Sequence, residues 1–172
     1  GPTQLPPVVD VKMIRVTTTN EMLQACQQAI PNSNALIMAA APADFRPKEY
    51  CSEKLKKSAP KSSLQLAPNP DILTTTNILR DNCITVGFAA ESHNLLFNAQ
   101  SKLKTKNVDL IVANDISAED SGFASDTNKV TILNQNGDKI KLPRMDKHSV
   151  ADSILDKILA IKGAKHHFRE PT

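Results

Sequence analysis

Residues 35–57 read ALIMAAAPADFRPKEYCSEKLKK, and this stretch decides the fold predicted for the chain. Its first part, 35–41, has the length and bulk of a buried strand, and Pro42 ends it. A turn that carries Asp44 follows, and then a loop with several lysines. In α/β proteins, a buried strand that opens into a carboxylate and a group of ammonium ions is a common place for a phosphorylated ligand. The stretch therefore predicts a ligand site at the carboxyl end of a buried strand.

The composition is that of an ordinary globular chain, and its 172 residues suit one domain. Apolar residues make up 40% and charged residues 23%, so the chain can bury a core without disulfides or metals. The net charge of +3 is too small to indicate a protein that coats nucleic acid. Aromatic residues are 3% and tryptophan is absent, which argues against a surface that stacks bases.

The cysteines indicate a reducing compartment. Cys26, Cys51 and Cys83 are an odd number without a CxxC spacing, and no segment resembles a secretion signal. The longest apolar run is far shorter than the ~18 residues that a membrane span needs. His166 and His167 lie in a polar tail without neighbouring ligands, so we interpret them as solvent-exposed rather than as a metal site. The prediction is a cytoplasmic protein with no membrane and no nucleic-acid partner.

Predicted strands and helices alternate along the chain. Thr19 or Asn20 is predicted to cap the first helix, and Asn69 to cap a helix that begins at Pro70. The proline-containing segment 45–61 is predicted as a loop or mobile flap. Strands are predicted at 11–17, 35–41, 64–67, 84–88 and 108–113, helices at 21–30, 70–80, 94–106 and 146–162, and a hairpin of 129–133 with 139–142 around Asn136-Gly137.

This alternation favours a parallel sheet covered on both faces. The predicted fold is α/β, a Rossmann-like three-layer sandwich with a mostly parallel sheet and a C-terminal antiparallel hairpin. It occupies residues 1–163, and 164–172 form a tail. A chain with only five glycines contains neither a GxGxxG turn nor a P-loop, so a dinucleotide-dependent oxidoreductase is the weaker alternative.

Polar side chains follow each predicted strand at its carboxyl end. Asp44, Asn69 with Asp71, Glu91, and Asn114 with Asp115 stand in these positions. Because carboxyl ends of parallel strands share one edge of a sheet, these groups are expected to lie together. Each is individually more typical of a helix cap, and four caps remain the alternative to one site.

Two lysines on one predicted helix suit a triphosphate. Lys102 and Lys106 stand one helical turn apart and project on the same side, whereas Lys104 does not. A solvated helix face is the alternative, and the spacing alone favours it. The same alternatives apply to Lys54 and its neighbours in the flap. Phe88 could stack on a nucleobase or pack in the core, and the N–H groups of Asp71, Ile72 and Leu73 could meet a ligand or be capped by Asn69.

A series of motifs then resembles a known family. The motifs are AAAPADFRP (39–47), EKLKK (53–57), NPDIL (69–73), GFAAES (87–92), KLKTKNVDLIVANDIS (102–117), GFASDTNKVTIL (122–133) and VADSILDKIL (150–159). In this order, and over nearly the whole chain, they resemble the phosphopantothenate–cysteine ligase family, the synthetase part of the bacterial bifunctional coenzyme A biosynthesis flavoprotein.

This resemblance implies a nucleotide-activated ligation in coenzyme A biosynthesis. The carboxylate of 4'-phosphopantothenate attacks CTP and gives an acyl-cytidylate and pyrophosphate, and the amine of cysteine then displaces CMP. The implied ligands are CTP, 4'-phosphopantothenate, cysteine and Mg²⁺. The implied partners are a second copy of the chain and a fused or associated phosphopantothenoylcysteine decarboxylase, and FMN is expected only if that decarboxylase precedes the chain.

The resemblance also assigns roles by motif. Lys54 is the catalytic flap lysine, and Asp44 is a weak metal ligand. The implied nucleotide-binding residues are Met38, Asp44, Lys54, Pro70, Asp71, Ile72, Leu73, Phe88, Lys102 and Lys106, and the implied substrate-binding residues are Ala40, Ala41 and Asn114. Acyl-phosphate chemistry needs charge stabilisation rather than a side-chain nucleophile, so no cysteine is assigned a role.

The chain departs from the family's pattern in two places. Pro42 stands where an aliphatic residue is expected, which stiffens the turn. The Gly-Thr, Ile-Asp and Asn-Arg-Ser-Ser-Gly segments with which the family begins are absent, so residues 1–163 are expected to be a ligase domain without its usual N-terminal segment. A truncated, non-catalytic nucleotide-binding or dimerisation module is the alternative. The hairpin at 129–142 is the expected dimer contact, because an uncovered sheet edge needs a partner.

Overall fold

The computed structural model describes residues 1, 3, 6–50, 52–53, 63–91, 94–115 and 126–167. A five-stranded sheet forms its centre, and two short two-stranded ribbons accompany it. The strands are β1 Ala35–Met38, β2 Phe45–Pro47, β3 Leu66–Pro68, β4 Ile84–Glu91, β5 Leu110–Asp115, β6 Thr127–Asn128, β7 Val130–Asn134, β8 Lys139–Lys141 and β9 Met145–Asp146; the helices are α1 Thr19–Ala29, α2 Ile72–Thr75, α3 Leu95–Thr105 and α4 Lys147–His167, with 3-10 turns at Ile30–Asn32 and Asn77–Leu79.

The central sheet has the order β1-β4-β5-β7-β8. Strands β1, β4 and β5 run parallel, with Ile37 opposite Val86 and Gly87 opposite Ile111. Strands β7 and β8 continue the sheet in antiparallel pairing. The predicted α/β fold with a parallel sheet and a C-terminal antiparallel hairpin is therefore confirmed.

Helices cover both faces of this sheet, as a three-layer arrangement requires. Val86 and Val112 are fully buried on the face against α4, together with Ile154. Leu103 of α3 and Ile111 of β5 are buried on the opposite face. Each such side chain contributes about 1.5–3 kcal/mol when fully buried, so the two cores fix the strands whose carboxyl ends line the site.

The predicted hairpin and last helix are present. Gly137 has φ 91°, a conformation that a side chain disfavours, and it lies in the turn between β7 and β8. Asp146 begins α4 by accepting hydrogen bonds from the backbone and hydroxyl of Ser149. The helix continues to His167, four residues beyond the predicted end of the domain, because no residue before that point interrupts it.

The first predicted strand is wrong. Residues 11–17 form no strand, although their apolar residues alternate. Val11, Met13 and Ile14 are about half exposed, so this segment buries no continuous face against the sheet. Alternation alone does not make a strand, because a ladder needs a neighbour with which to pair. The first helix is capped by Thr18 rather than by the predicted Thr19 or Asn20.

The predicted strand at 35–41 is shorter and less buried than expected. β1 ends at Met38, and it pairs within the central sheet only with β4. Met38 is buried, but Ile37 is 43% exposed because the other side of this strand carries no sheet neighbour among the described residues. The predicted buried strand 35–41 is therefore corrected to the shorter, partly buried β1 at the edge of the sheet.

Two further predictions change where the chain leaves the sheet. Part of the predicted flap is β2, which pairs with β3, so β3 belongs to this ribbon and not to the parallel sheet. The predicted helix at 70–80 is only the short α2 followed by a 3-10 turn, and Asp71, not Asn69, caps it. Residues 54–62 lie outside the described residues.

Candidate functional site

A cleft of about 220 Å³ opens where β1 and β4 end, and we refer to it as the strand-end cleft. Its walls come from the turn after β1, the start of α2, β4 and the C-terminal half of α3. The residues predicted for the site that line it are Met38, Ala40, Asp44, Pro70, Asp71, Ile72, Leu73, Phe88, Lys102 and Lys106. Pairing within the sheet and packing of α3 thus bring together residues as distant in the sequence as Met38 and Lys106.

Two predicted site residues lie elsewhere, and a third is not among the described residues. Ala41 lines a neighbouring cavity and not this cleft. Asn114 lies at the end of β5 opposite Ala90, and its buried Oδ1 has no hydrogen-bond partner among the described residues. Lys54, predicted as the catalytic lysine, lies outside the described residues.

The turn after β1 is fixed by Asn69. Its backbone N–H donates to the carbonyl of Asp44 at 2.8 Å, and its side-chain amide donates to the carbonyl of Ala43 at 2.8 Å. Arg46 donates to the carbonyl of Pro68 and, at 3.2 Å, to the Oδ1 of Asn69. Sequence reasoning treated Asn69 as a helix cap and gave Arg46 no role. Instead, the two side chains join both sides of the β2–β3 ribbon at the mouth of the cleft.

Asp71 has two partners, one for each carboxylate oxygen. Oδ1 accepts the backbone N–H of Thr74 at 2.9 Å and so caps α2, and Oδ2 accepts from the ammonium of Lys106. Partial burial alone would raise the pKa of the Asp71 carboxyl, but the bonds from Lys106 and Thr74 outweigh it and leave the pKa below its usual value. The carboxylate is therefore ionised at neutral pH and forms an ion pair across the cleft wall.

Arg80 supports the same wall from behind, and only 7% of its surface is exposed. One terminal nitrogen of its guanidinium donates to the carbonyls of Leu73 and Lys106 and to the Oδ1 of Asn77. Burial lowers the pKa of Arg80, and the charge of Asp109 acts in the opposite direction. No sequence motif indicated this residue, since its contacts depend on how α2 and α3 pack.

Because Gly87 has no side chain, Leu73 and Ile111 can pack closely against β4 in the cleft. A Cβ at this position would come within 2.9 Å of Ile111 Cδ1 and 3.3 Å of Leu73 Cδ1. Leu73 and Ile111 both line the cleft. Phe88, the next residue, is 36% exposed, so its ring is not simply part of the core.

A larger cavity of about 710 Å³ adjoins the strand-end cleft, and we refer to it as the threonine-lined cavity. Thr17, Thr18 and Thr19 form one of its walls. The residues that line both spaces are Ala40, Pro42, Ala43 and Asn69. A ligand in one space therefore touches the wall of the other.

The described residues offer few ligands for a metal. They bring no three histidine, cysteine, aspartate or glutamate side chains together. Asp44 is an exposed carboxylate at the cleft. Cys83 is buried and unbonded to another cysteine, and burial raises the pKa of the half-buried Cys26 thiol, so neither resembles an activated thiolate. Among the helices in the described part of the chain, none is long and apolar enough to cross a membrane.

The family model for the DNA/pantothenate metabolism flavoprotein C-terminal domain matches residues 1–161. The chain belongs to this family. It is 40% identical over 150 residues to the coenzyme A biosynthesis bifunctional protein CoaBC of Bacillus subtilis (strain 168), covering 87% of this chain and 37% of that protein. It thus spans well under half the length of this relative.

Two solved structures have the same fold. The crystal structure of the C-terminal domain of CoaBC superposes with a TM-score of 0.76 at 34% identity, covering 93% of this chain and 70% of that one. A Cab2 mutant in complex with phosphopantothenate-cysteine superposes with a TM-score of 0.66 at 19% identity, covering 90% and 54% of the two chains, and this likeness shows the fold alone.

Proposed function

We propose that this chain is the nucleotide-binding part of a CTP-dependent ligase that joins 4'-phosphopantothenate to cysteine in coenzyme A biosynthesis. The observation that carries the proposal is the strand-end cleft, where Lys102 and Lys106 of one helix face apolar walls beside a second, larger cavity. The names of the CoaBC relatives support the same biosynthetic role.

The proposed reaction has two steps. A carboxylate oxygen of 4'-phosphopantothenate attacks the α-phosphorus of CTP, and the bond to the bridging oxygen breaks to release pyrophosphate. The amine nitrogen of cysteine then attacks the acyl carbon, its proton is lost to solvent, and the bond from carbon to the phosphate oxygen breaks to release CMP. Negative charge develops on phosphate and carbonyl oxygens, so ammonium groups stabilise both steps.

The cleft and the cavity divide the ligands between them. We assign cytosine and ribose to the apolar wall made by Pro70, Ile72 and Phe88, and the triphosphate to Lys102 and Lys106. We assign the pantothenoyl chain to the side of Ala40 and Ala41, where the threonine-lined cavity has room for it. The shared wall would then bring the carboxylate and the α-phosphorus together.

The roles of Lys54 and Asn114 are proposed from the sequence alone. Lys54 lies outside the described residues, and we keep it as the flap lysine that neutralises charge during acyl transfer. Asn114 does not line the cleft, but its unpartnered Oδ1 leaves it able to accept a hydrogen bond from a ligand.

Mg²⁺ fits the cleft as a companion of the triphosphate rather than as an ion in a cage of protein ligands. Among the described residues of the lining, Asp44 is the one carboxylate besides the paired Asp71. Mg²⁺ usually keeps several waters and binds through substrate phosphates and one or two carboxylates. When bound, it would neutralise charge on the phosphate oxygens, and Asp44 would supply one ligand.

Calorimetric titration with CTP, ATP and NADP⁺ tests the nucleotide site. We expect CTP to bind in the presence of Mg²⁺ and NADP⁺ not to bind. The variant Lys104→Met is a matched control for variants of Lys102 and Lys106, because this exposed lysine lies on α3 but does not line the cleft. A chain that binds NADP⁺ and neither CTP nor ATP would contradict the ligase proposal.

A chimera tests the ligation itself. Residues 1–161 replace the matched region of the Bacillus subtilis relative, and pyrophosphate release is measured with CTP, 4'-phosphopantothenate and cysteine. We expect turnover that is lost in the same chimera with Lys54→Gln. CTP binding without any turnover in the chimera would favour the alternative, a non-catalytic nucleotide-binding or dimerisation module.

We also propose a homodimer that uses the sheet edge at β8. In the central sheet β8 pairs only with β7, so one row of its backbone groups has no strand neighbour in the described part of the chain. Sedimentation equilibrium is the measurement, and Lys141→Pro is the disrupting variant, because the inward bond of Leu142 to Val130 places the N–H of Lys141 on the open side of β8. A monomer at high concentration would contradict this contact. A phosphopantothenoylcysteine decarboxylase with FMN, fused or associated, is the further partner that the bifunctional relatives suggest.

A further inference from the structure

The ion pair between Asp71 and Lys106 joins two walls of the strand-end cleft. Asp71 caps α2, and Lys106 follows the last turn of α3, 35 residues later. Their side chains are 42% and 31% exposed, so both reach the cleft and water. Asp71 was expected to contact the nucleotide, but its carboxylate already has a protein partner on each oxygen.

Two effects of this carboxylate on an anionic ligand oppose each other. Its negative charge beside the lysines would repel a phosphate, and water screens that repulsion because both groups are partly exposed. Its bond to Lys106 also removes the rotamer freedom that a lysine otherwise loses only when the ligand binds. Screening weakens the repulsion of a more distant phosphate more than it weakens the pair itself, because Asp71 and Lys106 are in direct hydrogen-bond contact.

The backbone on both sides of the pair is held in place. Arg80 donates to the carbonyl of Lys106 at 3.1 Å and to the carbonyl of Leu73 at 2.9 Å. The N–H of Thr74 fixes the other carboxylate oxygen of Asp71. The carboxylate therefore has one orientation, and it defines one position for the ammonium group at the cleft wall.

We propose that Asp71 is a positioning residue that strengthens nucleotide binding by holding Lys106 in place, not by contacting the nucleotide itself. This inference rests on the proposed function. It predicts that removing the negative charge of Asp71 weakens the binding of a triphosphate, which is the opposite of what simple charge repulsion predicts.

The variant Asp71→Asn separates this role from capping. Asparagine is as good a helix cap as aspartate, and its carbonyl oxygen can still accept the N–H of Thr74. Its NH₂ group then faces the ammonium of Lys106, and two donors cannot bond to each other. Thermal denaturation of each variant checks that the fold is kept. Asp152→Asn, an exposed carboxylate on α4, is the matched control.

The measurement is the Kd for CTP with Mg²⁺ in four proteins: the unchanged chain, Asp71→Asn, Lys106→Met and the double variant. We expect Asp71→Asn to weaken binding by about threefold to tenfold, the range that ordering one lysine side chain can supply. In the Lys106→Met background, we expect the same change to leave binding unaltered or to strengthen it. Asp152→Asn is expected to bind as the unchanged chain does.

Each other outcome has a definite meaning. If the unchanged chain does not bind CTP, the proposed function fails and this inference fails with it. If the unchanged chain binds but Asp71→Asn binds equally well or more tightly, only the inference is overturned. Equal weakening by Asp71→Asn with and without Lys106 would show that Asp71 acts on the nucleotide directly, and would also overturn it.

Discussion

The buried guanidinium of Arg80 donates a hydrogen bond to the backbone carbonyl of Lys106, 3.1 Å away. The same nitrogen also reaches the carbonyl of Leu73 at 2.9 Å. Both carbonyl groups belong to residues that line the strand-end cleft, Leu73 in α2 and Lys106 after the end of α3. Arg80 therefore holds these two segments together from outside the cleft.

Replacing Arg80 is expected to loosen this arrangement. Arg80→Met keeps most of the aliphatic volume but leaves two backbone carbonyls without their charged donor, so we expect a loss of about 2–4 kcal/mol in the free energy of unfolding. Urea denaturation measures it. Arg15→Met, at an exposed arginine, is the control and should change stability little. A loss no greater than that of the control would contradict a structural role for Arg80.

The cleft lysines are expected to act as a pair on phosphate. Lys102→Met and Lys106→Met each remove an ammonium group from the lining of the cleft, so we expect each to weaken CTP binding by about tenfold, the effect of losing a charge-assisted hydrogen bond. Titration calorimetry against Lys104→Met provides the comparison. CMP, which lacks the outer phosphates, should lose less affinity than CTP, and equal losses would place the lysines away from these phosphates.

Gly87 is expected to tolerate no side chain without a change in the cleft. In Gly87→Ala the new methyl group displaces Ile111 and Leu73, and such overpacking costs about 1–3 kcal/mol. Gly163→Ala should have the opposite sign, because Gly163 lies in α4 with open space around its Cα and alanine favours a helix by up to about 1 kcal/mol. Chemical denaturation of the two variants tests both signs, and a stabilised Gly87→Ala would contradict the close packing.

The hairpin turn is expected to depend on backbone conformation alone. Gly137 has φ 91° and no atom within 4 Å of the position of an added Cβ, so Gly137→Ala causes no clash. The expected loss of about 1 kcal/mol comes from the left-handed conformation. Thermal denaturation measures it, with Gly137→Asn as a milder variant, since asparagine adopts this conformation more readily. Equal effects of alanine and asparagine would contradict this explanation.

Acid is expected to destabilise the fold through two capping carboxylates. Backbone N–H bonds, first from Thr17 and then from Thr18, lower the pKa of Glu21, and bonds from the hydroxyl and N–H of Ser149 lower that of Asp146. Because each folded pKa lies below the unfolded one, the stabilisation is complete above the unfolded value and declines as the pH falls through the folded value.

This linkage places the loss of stability below about pH 4, near the ordinary pKa values of Asp and Glu. Urea midpoints measured from neutral pH downwards are the test. Glu21→Gln is expected to be less stable than the unchanged chain at neutral pH, and the difference should shrink as the pH falls below that range. A difference that stays constant with pH would show that the Glu21 charge contributes nothing.

Local signals in the sequence predicted the elements whose stability is itself local. Asn136-Gly137 predicted the turn between β7 and β8, and the apolar spacing of Val150, Ile154 and Ile158 predicted the buried stripe of α4. The rule that parallel strands end at one edge predicted three of the cleft residues, Asp44, Asn69 and Asp71, and the resemblance assigned most of the others.

The sequence did not reveal features that depend on pairing between distant residues. β2 contains Pro47, and prolines argue against strands, so this segment resembled a loop, whereas β3 was predicted as a strand but not its pairing with β2. Asn69 and Asp71 are equally good caps, and distant contacts distinguish them, since the side chain of Asn69 bonds to Ala43 and that of Asp71 to Lys106. Likewise, the residues next to Arg80 in the sequence do not indicate that it is buried.

Because the strand-end cleft and the threonine-lined cavity share a wall, a substitution in that wall affects both spaces. Ala40, Pro42, Ala43 and Asn69 each border both spaces, so one substitution reshapes two surfaces at once. A lineage that adapted this wall to a different occupant of the cleft would have to keep it compatible with the occupant of the cavity. Specificity is freer to drift at the far walls, where Phe88 borders the cleft and Thr19 borders the cavity, because each is subject to a single constraint.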